Sequence, residues 1–197
     1  FENRFKTKLA NDFKNINFKL INSGISADIN FDTNDNKYLT KGVFKSKILG
    51  TNLKFDFNYD NKKLNISNSY FRNKNLSFES NSEIVFNPFI DLQSKIKVKE
   101  INFQTFKKIN LNKLMEQKNI IKKINSKKDI IFKSKKFNRD LIDELNLKIE
   151  LAYGRMSYLK KFSISDNLFQ CQGNINLLEE YPLLFFDCFV SSNEKKK

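Results

Sequence analysis

The sequence predicts a mainly β chain: a curved antiparallel meander with one apolar face, left as an open groove, and interrupted by one or two helices near residues 105–125. Three observations predict it. From Tyr38 to Val98, apolar residues fall on every second position through five successive segments, which is the period of a strand with one dry side. The loops between those segments have the parity that keeps the apolar positions together, where a one-residue slip would turn a whole strand over. From Thr105 to about Ile124 the spacing (Phe106, Ile109, Leu111, Leu114, Met115, Ile120, Ile121, Ile124) turns helical, with no Gly or Pro.

Taken in order, residues 1–13 have a loose apolar spacing (Phe5, Leu9, Phe13) that suits a short helix or a lead-in segment. Asn15 to Leu20 and Ile25 to Phe31 read as strands about an Asn22-Ser23-Gly24 turn, and Tyr38 to Ile48 as a longer one. A two-residue turn at Gly50-Thr51, with Gly first as a type II′ turn prefers, pairs Ile48 with Leu53 and Phe44 with Phe57. A turn at Asp60-Asn61 pairs Phe57 with Leu64 and Phe55 with Ile66. An odd-length loop around Asn73 brings Tyr70 near Leu76, and Asn87-Pro88-Phe89 pairs Phe86 with Ile90, Ile84 with Leu92 and Phe78 with Val98.

The helical stretch ends near Asn125-Ser126, and strands resume at Asp129 to Lys135. Leu141 to Tyr153 begins with about one helical turn and then alternates. Gly154-Arg155 turns into Met156 to Ser165, Asp166-Asn167 into Leu168 to Leu177, and Glu179-Glu180 into Pro182 to Val190. The chain thus divides into a meander over 1–104, a helical insertion over 105–125, hairpins of the same sheet or domain over 126–191, and a polar tail over 192–197. The Glu179-Glu180 turn sets Gly173 opposite Phe186, a familiar cross-strand compensation, and Cys171 opposite Cys188. That pair is either a disulfide of an oxidising compartment or two buried thiols.

The chemistry-bearing residues are sparse. With no His there is no imidazole base or ligand, the five glycines form no phosphate-cradling loop, and two cysteines do not build a zinc site. Acidic residues sit on the wet face or in turns, so the chain reads as a non-enzyme without a cofactor. The net charge is +14, from 36 Lys+Arg against 22 Asp+Glu, yet the lysines are dispersed. Together with abundant Asn, Ile and 21 Phe they look like the imprint of an AT-rich genome. Base stacking needs aromatic and basic residues on one face, whereas parity sends Phe55, Phe57 and Phe78 to one side and Lys45, Lys54, Lys95 and Lys97 to the other. Nucleic acid is therefore a poor partner. The sequons at Asn65 and Asn75 are chance-level matches in an Asn-rich chain.

An apolar face must meet a second sheet, a helix, a partner or lipid. Strands of about 8 to 10 residues are ~27–34 Å long, enough to hold acyl chains from a leaflet of ~15 Å. The expected groove lining is Phe18, Ile29, Phe31, Phe44, Ile48, Leu53, Phe55, Phe57, Leu64, Ile66, Phe78, Ile84, Phe86, Leu92, Ile96, Val98, Leu147, Ile149, Ile175 and Phe186. The rival expectation is a closed β-sandwich, a structural or protein-interaction module whose own second sheet covers the face.

The run Leu64 to Ile109, LNISNSYFRNKNLSFESNSEIVFNPFIDLQSKIKVKEINFQTFKKI, resembles the C-terminal region of the AsmA-like proteins of Gram-negative bacteria, where a strand, a Pro-containing hairpin and a further strand precede a helix. The hairpins from Leu147 to Val190 repeat that style, although Ser80-Asn81-Ser82 stands where the family commonly has Gly. The resemblance implies a periplasmic segment, tethered to the inner membrane through regions outside it, in a protein of repeating β units. It implies phospholipid or another acyl lipid as the ligand, with protein partners in the envelope unknown, a role in outer-membrane assembly or lipid homeostasis, no nucleic acid and no catalytic residues.

Overall fold

The computed structural model describes residues 5–10, 14–21, 24–32, 39–102, 123–134, 142–165 and 167–192. They form β1 (Phe5–Ala10), β2 (Asn15–Leu20), β3 (Ile25–Phe31), β4 (Thr40–Ile48), β5 (Thr51–Tyr59), β6 (Lys63–Arg72), β7 (Leu76–Val85), β8 (Ile90–Ile101), β9 (Ile124–Lys133), β10 (Glu144–Ala152), β11 (Arg155–Ile164), β12 (Asn167–Asn176) and β13 (Leu184–Ser191). All thirteen lie in one open sheet in sequence order. Every close packing between elements is between sheet neighbours, so the described strands form one layer. Among the described residues its buried apolar side chains are correspondingly few: Val98, Phe132 and Leu177. Cohesion comes from backbone ladders and from side chains packed laterally across neighbouring strands.

Several expectations are corrected. The N-terminal segment is a strand, with Leu9 opposite Ile16 on β2, because edge pairing overrides the loose helical spacing. The meander is not antiparallel throughout: β8 and β9 run parallel, with Ile90 opposite Ile124 and Val98 opposite Phe132. A parallel pair needs a long crossover, and the connecting stretch is where the helix was expected. Most of that helix, residues 105–122, lies outside the described residues. Its last two positions, Ile124 and Asn125, belong to β9. That strand starts five residues before the expected Asp129; the helical turn expected from Leu141 begins outside the described residues, and β10 starts at Glu144.

The hairpin turns sit one residue from where the Gly and Asp signals placed them. Ile48 pairs with Thr51, Phe44 with Phe55 and Gly42 with Phe57, so the turn is Leu49-Gly50, with φ of 47° and 82°. Ala152 pairs with Arg155, and Tyr153-Gly154 has φ of 50° and 80°. Positive φ at both central residues is the type I′ pattern, which puts Gly second and matches strand twist. At the next hairpin Tyr59 pairs with Leu64 and Phe57 with Ile66, about Asn61-Lys62. Ile164 pairs with Asn167, so that turn begins at Ser165, one residue before the expected position. In each case the two-residue length is kept, so facing side chains stay on their expected side.

Irregularities account for the rest. The β5–β6 register shifts between Lys54 and Asp56, and the β6–β7 register between Ile66 and Ser69. The extra residue lies about Asn68, which adopts φ of 49°. This bulge reverses the alternation along β6: Phe71 pairs with Leu53 and Phe78, while Tyr70 pairs with Lys54 and Glu79. Tyr70 is therefore not beside Leu76. A second shift, between Ser77 and Phe78, leaves Phe78 opposite Val98 and Ile84 opposite Leu92, as the Asn87-Pro88-Phe89 turn implies. Ile175, Gly173 and Cys171 face Leu184, Phe186 and Cys188. The loop about Glu179-Glu180 is longer than two residues, because β13 starts at Leu184 and not at Pro182.

Candidate functional site

The site is a whole side of the sheet, and the register defines it. Because successive side chains alternate and directly opposed residues share a side, the pairs can be followed from strand to strand. One row runs Ile16, Ile29, Phe44, Phe55. Others run Leu64, Ile84, Leu92 and Phe132, Leu145, Phe162, Phe169, Val190. Among the expected lining residues, Phe18, Ile29, Phe31, Phe44, Ile48, Leu53, Phe55, Phe57, Leu64, Ile66, Phe78, Ile84, Leu92, Ile96, Val98, Leu147, Ile149, Ile175 and Phe186 all fall on this side. Phe86 lies beyond the end of β7, with its ring edge-on to Tyr59 at 6.2 Å.

The same side gains residues that simple alternation misses. Phe71 joins it through the bulge and stacks on Phe78 at 4.8 Å. Phe162 stacks on Phe169 at 4.8 Å, and Phe44 on Phe55 at the same distance. Two glycines let rings lie flat across the sheet. An added Cβ at Gly42 would meet Phe57 and the carbonyl of Asn30, and one at Gly173 would meet Tyr158 and the carbonyl of Phe185. Tyr158 thus fills the space over Gly173, where sequence pairing had pointed to Phe186.

This side is not uniformly apolar. Ser69 and Ser80 share a hydroxyl hydrogen bond at 2.6 Å, and Ser82 and Ser94 another at 2.8 Å. Lys128 follows Ser94 in the same row. A polar seam therefore crosses the middle of β6 to β9, with hydroxyls largely satisfying one another. Lys160 also projects on this side, its Nζ 4.4 Å from the Phe162 ring centroid, a cation–π arrangement. Most of the apolar side chains flanking the seam are half-buried, whereas Val98 and Phe132 are buried.

The opposite side is polar and carries the hollows. One, about 890 Å³, crosses from β6 to β13 along one register row: Asn65, Glu83, Gln93, Lys127, Glu150, Ser157, Asn174 and Phe185. A second, of about 750 Å³, is lined by Tyr70, Glu79, Lys97 and Asn146 among others. The trough expected with an apolar floor is thus not where these hollows lie. Ion pairs on this side, Lys63–Glu83 at 3.2 Å and Lys127–Glu150 at 3.3 Å, are solvent-exposed and stabilise little. Lys133 donates to Glu144 at 2.6 Å, and that hydrogen bond holds the ammonium above its ordinary range.

Cys171 and Cys188 form a disulfide with Cα atoms 4.1 Å apart. It ties β13 to β12 in the expected register. Comparison with protein-family models, characterised proteins and solved structures finds no match for this chain.

Proposed function

We propose that this chain is a non-enzymatic segment of a bacterial envelope protein that binds acyl chains of phospholipid across the Phe-rich side of its sheet, in the manner of AsmA-like proteins. The single observation that carries this reading is the side itself. Apolar residues on thirteen strands share it, and the described residues supply no second layer of strands against it. An apolar area of this extent is costly to leave in water. Lipid is suited to a long, laterally continuous surface because acyl chains need no hydrogen bonds and adapt to irregular relief. The polar side, with its hollows, then faces water.

Two further features support the reading. The disulfide suits an oxidising compartment such as the periplasm. Strands of nine to twelve residues from β4 to β8 are roughly 30–40 Å long, comparable with extended acyl chains. The rival reading, a sandwich closed by the chain's own second sheet, lacks a specific observation in its favour, since the described strands belong to one sheet.

The test is recovery of the protein from membranes, followed by native mass spectrometry and by photo-crosslinking from a probe at Phe55 or Phe78. The expected result is co-purifying phospholipid and crosslinks to acyl chains from both positions. Lipid-free protein with no crosslink from either position would sink the proposal.

A further inference from the structure

β13 is an edge strand with few of the features that normally blunt an edge, Asp187 being its one charge. All eight of its residues are exposed. It has apolar side chains on both sides of the sheet: Leu184, Phe186 and Val190 on one, Phe185 and Phe189 on the other. It contains no Pro, no bulge and no Lys, the usual means of discouraging further pairing. The opposite edge, β1, carries Lys6 and Lys8.

The backbone of β13 is poised for a further strand. A Cα separation of 4.1 Å marks Cys171–Cys188 as a narrow pair, the non-hydrogen-bonded kind in an antiparallel ladder. The Phe185 carbonyl instead points at Gly173 on β12. The alternate residues, Leu184, Phe186, Cys188 and Val190, therefore direct their N–H and C=O groups to the free edge. The disulfide holds that edge in place.

Charge specifies what fits there. From Phe162 to Glu194 the sequence has no Lys or Arg, in a chain that holds 36. Asp187 projects from β13 between Phe185 and Phe189, on the polar side. A lysine on an added strand would lay its methylenes on those two rings and bring its ammonium to Asp187 and the ring faces. On the other side, β-branched residues would pack against Phe186 and Val190.

We infer that the β13 edge is a docking site for one strand of a partner polypeptide, an extended segment alternating basic and β-branched apolar residues, added by backbone pairing. This goes beyond lipid binding, since it uses the edge of the sheet and not its Phe-rich side.

The probe is a soluble peptide alternating Lys and Val, with a Glu and Val counterpart and a fully N-methylated version of the first, titrated against the whole protein by fluorescence anisotropy. The Lys/Val peptide is expected to bind and the N-methylated one not to. Asp187→Lys should weaken Lys/Val binding by about two- to fivefold and shift the preference toward Glu/Val. Asp187→Asn, a milder change, should give an intermediate loss. Val190→Pro, which removes an outward-facing N–H, should abolish binding with the disulfide still formed. Equal binding of the N-methylated peptide, or no binding of the Lys/Val peptide at millimolar concentration, would overturn the proposal. So would self-association of the protein abolished by Val190→Pro, which would place a second copy at this edge.

Discussion

A few single residues depart from what their side chains prefer, and these give the sharpest local tests. Leu49 occupies the first central position of a type I′ turn with φ of 47° and is three-quarters exposed. A left-handed conformation costs an ordinary L-residue roughly 1–2 kcal/mol, and this side chain recovers little by burial. Leu49→Asn should therefore raise stability by about 1 kcal/mol, read as a higher urea midpoint; an unchanged or lower midpoint contradicts the turn geometry. Gly42 is the opposite case. A Cβ there would lie 2.2 Å from the Asn30 carbonyl oxygen, so Gly42→Val should cost about 1–3 kcal/mol in the same measurement. Asp60 governs pH dependence at its turn. Its carboxylate accepts hydrogen bonds from the amides of Lys63 at 2.9 Å and Lys62 at 3.2 Å, and the first of these chiefly holds its pKa below the usual carboxylate range. A depressed folded-state pKa contributes stability above the unfolded value and loses it as pH falls through the folded one. Asp60→Asn should accordingly flatten part of the acid limb of a stability–pH curve, while an NMR titration of Asp60 at or above the normal carboxylate value would refute the assignment.

Among the elements, what was legible in the sequence was parity, and what was hidden was everything parity does not constrain. Alternation of Leu53, Phe55 and Phe57 defined a strand and its side, and moving a two-residue turn by one position does not alter that side. The turn at Leu49-Gly50 was therefore misplaced without harm. The bulge at Asn68 breaks parity with no marker of its own, so Phe71 and not Tyr70 lies on the Phe-rich side. The parallel β8–β9 contact was invisible because alternation carries no direction. Polar positions on the Phe-rich side, such as Ser82 and Ser94, are not legible because apolar repetition marks only the apolar members of a side. The bulge yields a direct test. Deleting Asn68 removes the extra residue and leaves Leu64, Ile66, Ser69 and Phe71 in strict alternation, so stability should change by less than about 1 kcal/mol. Deleting Lys148 from β10, which the register shows unbulged, should turn one part of that strand over and cost several kcal/mol. Equal tolerance of both deletions, in urea unfolding monitored by circular dichroism, would mean that the β6 shift is not a one-residue insertion.

For the molecule as a whole, the question is how a layer with three buried apolar side chains among its described residues avoids exposing its largest surface. Hydrogen-bonded ladders and lateral ring stacks fix the strands in order, and most apolar side chains on the Phe-rich side remain partly exposed, Val98 and Phe132 being buried. Closing that face with protein or with lipid predicts different responses to the same substitution. Phe78 packs laterally on Phe71 and lies opposite Val98. In a closed core, Phe78→Ala would cost about 3–5 kcal/mol and would leave no ligand to lose. On a single lipid-covered layer only the lateral half of that burial belongs to the protein, so the cost should be roughly 1–2 kcal/mol when lipid has been stripped by detergent exchange. Lipid should then restore the wild-type protein more than the variant, because a ligand that binds only the folded state stabilises it in proportion to its affinity. Paired melts of wild type and Phe78→Ala, with and without phospholipid vesicles, read both quantities. A difference between the two proteins that is large in detergent and indifferent to lipid would place protein, not acyl chains, against Phe78.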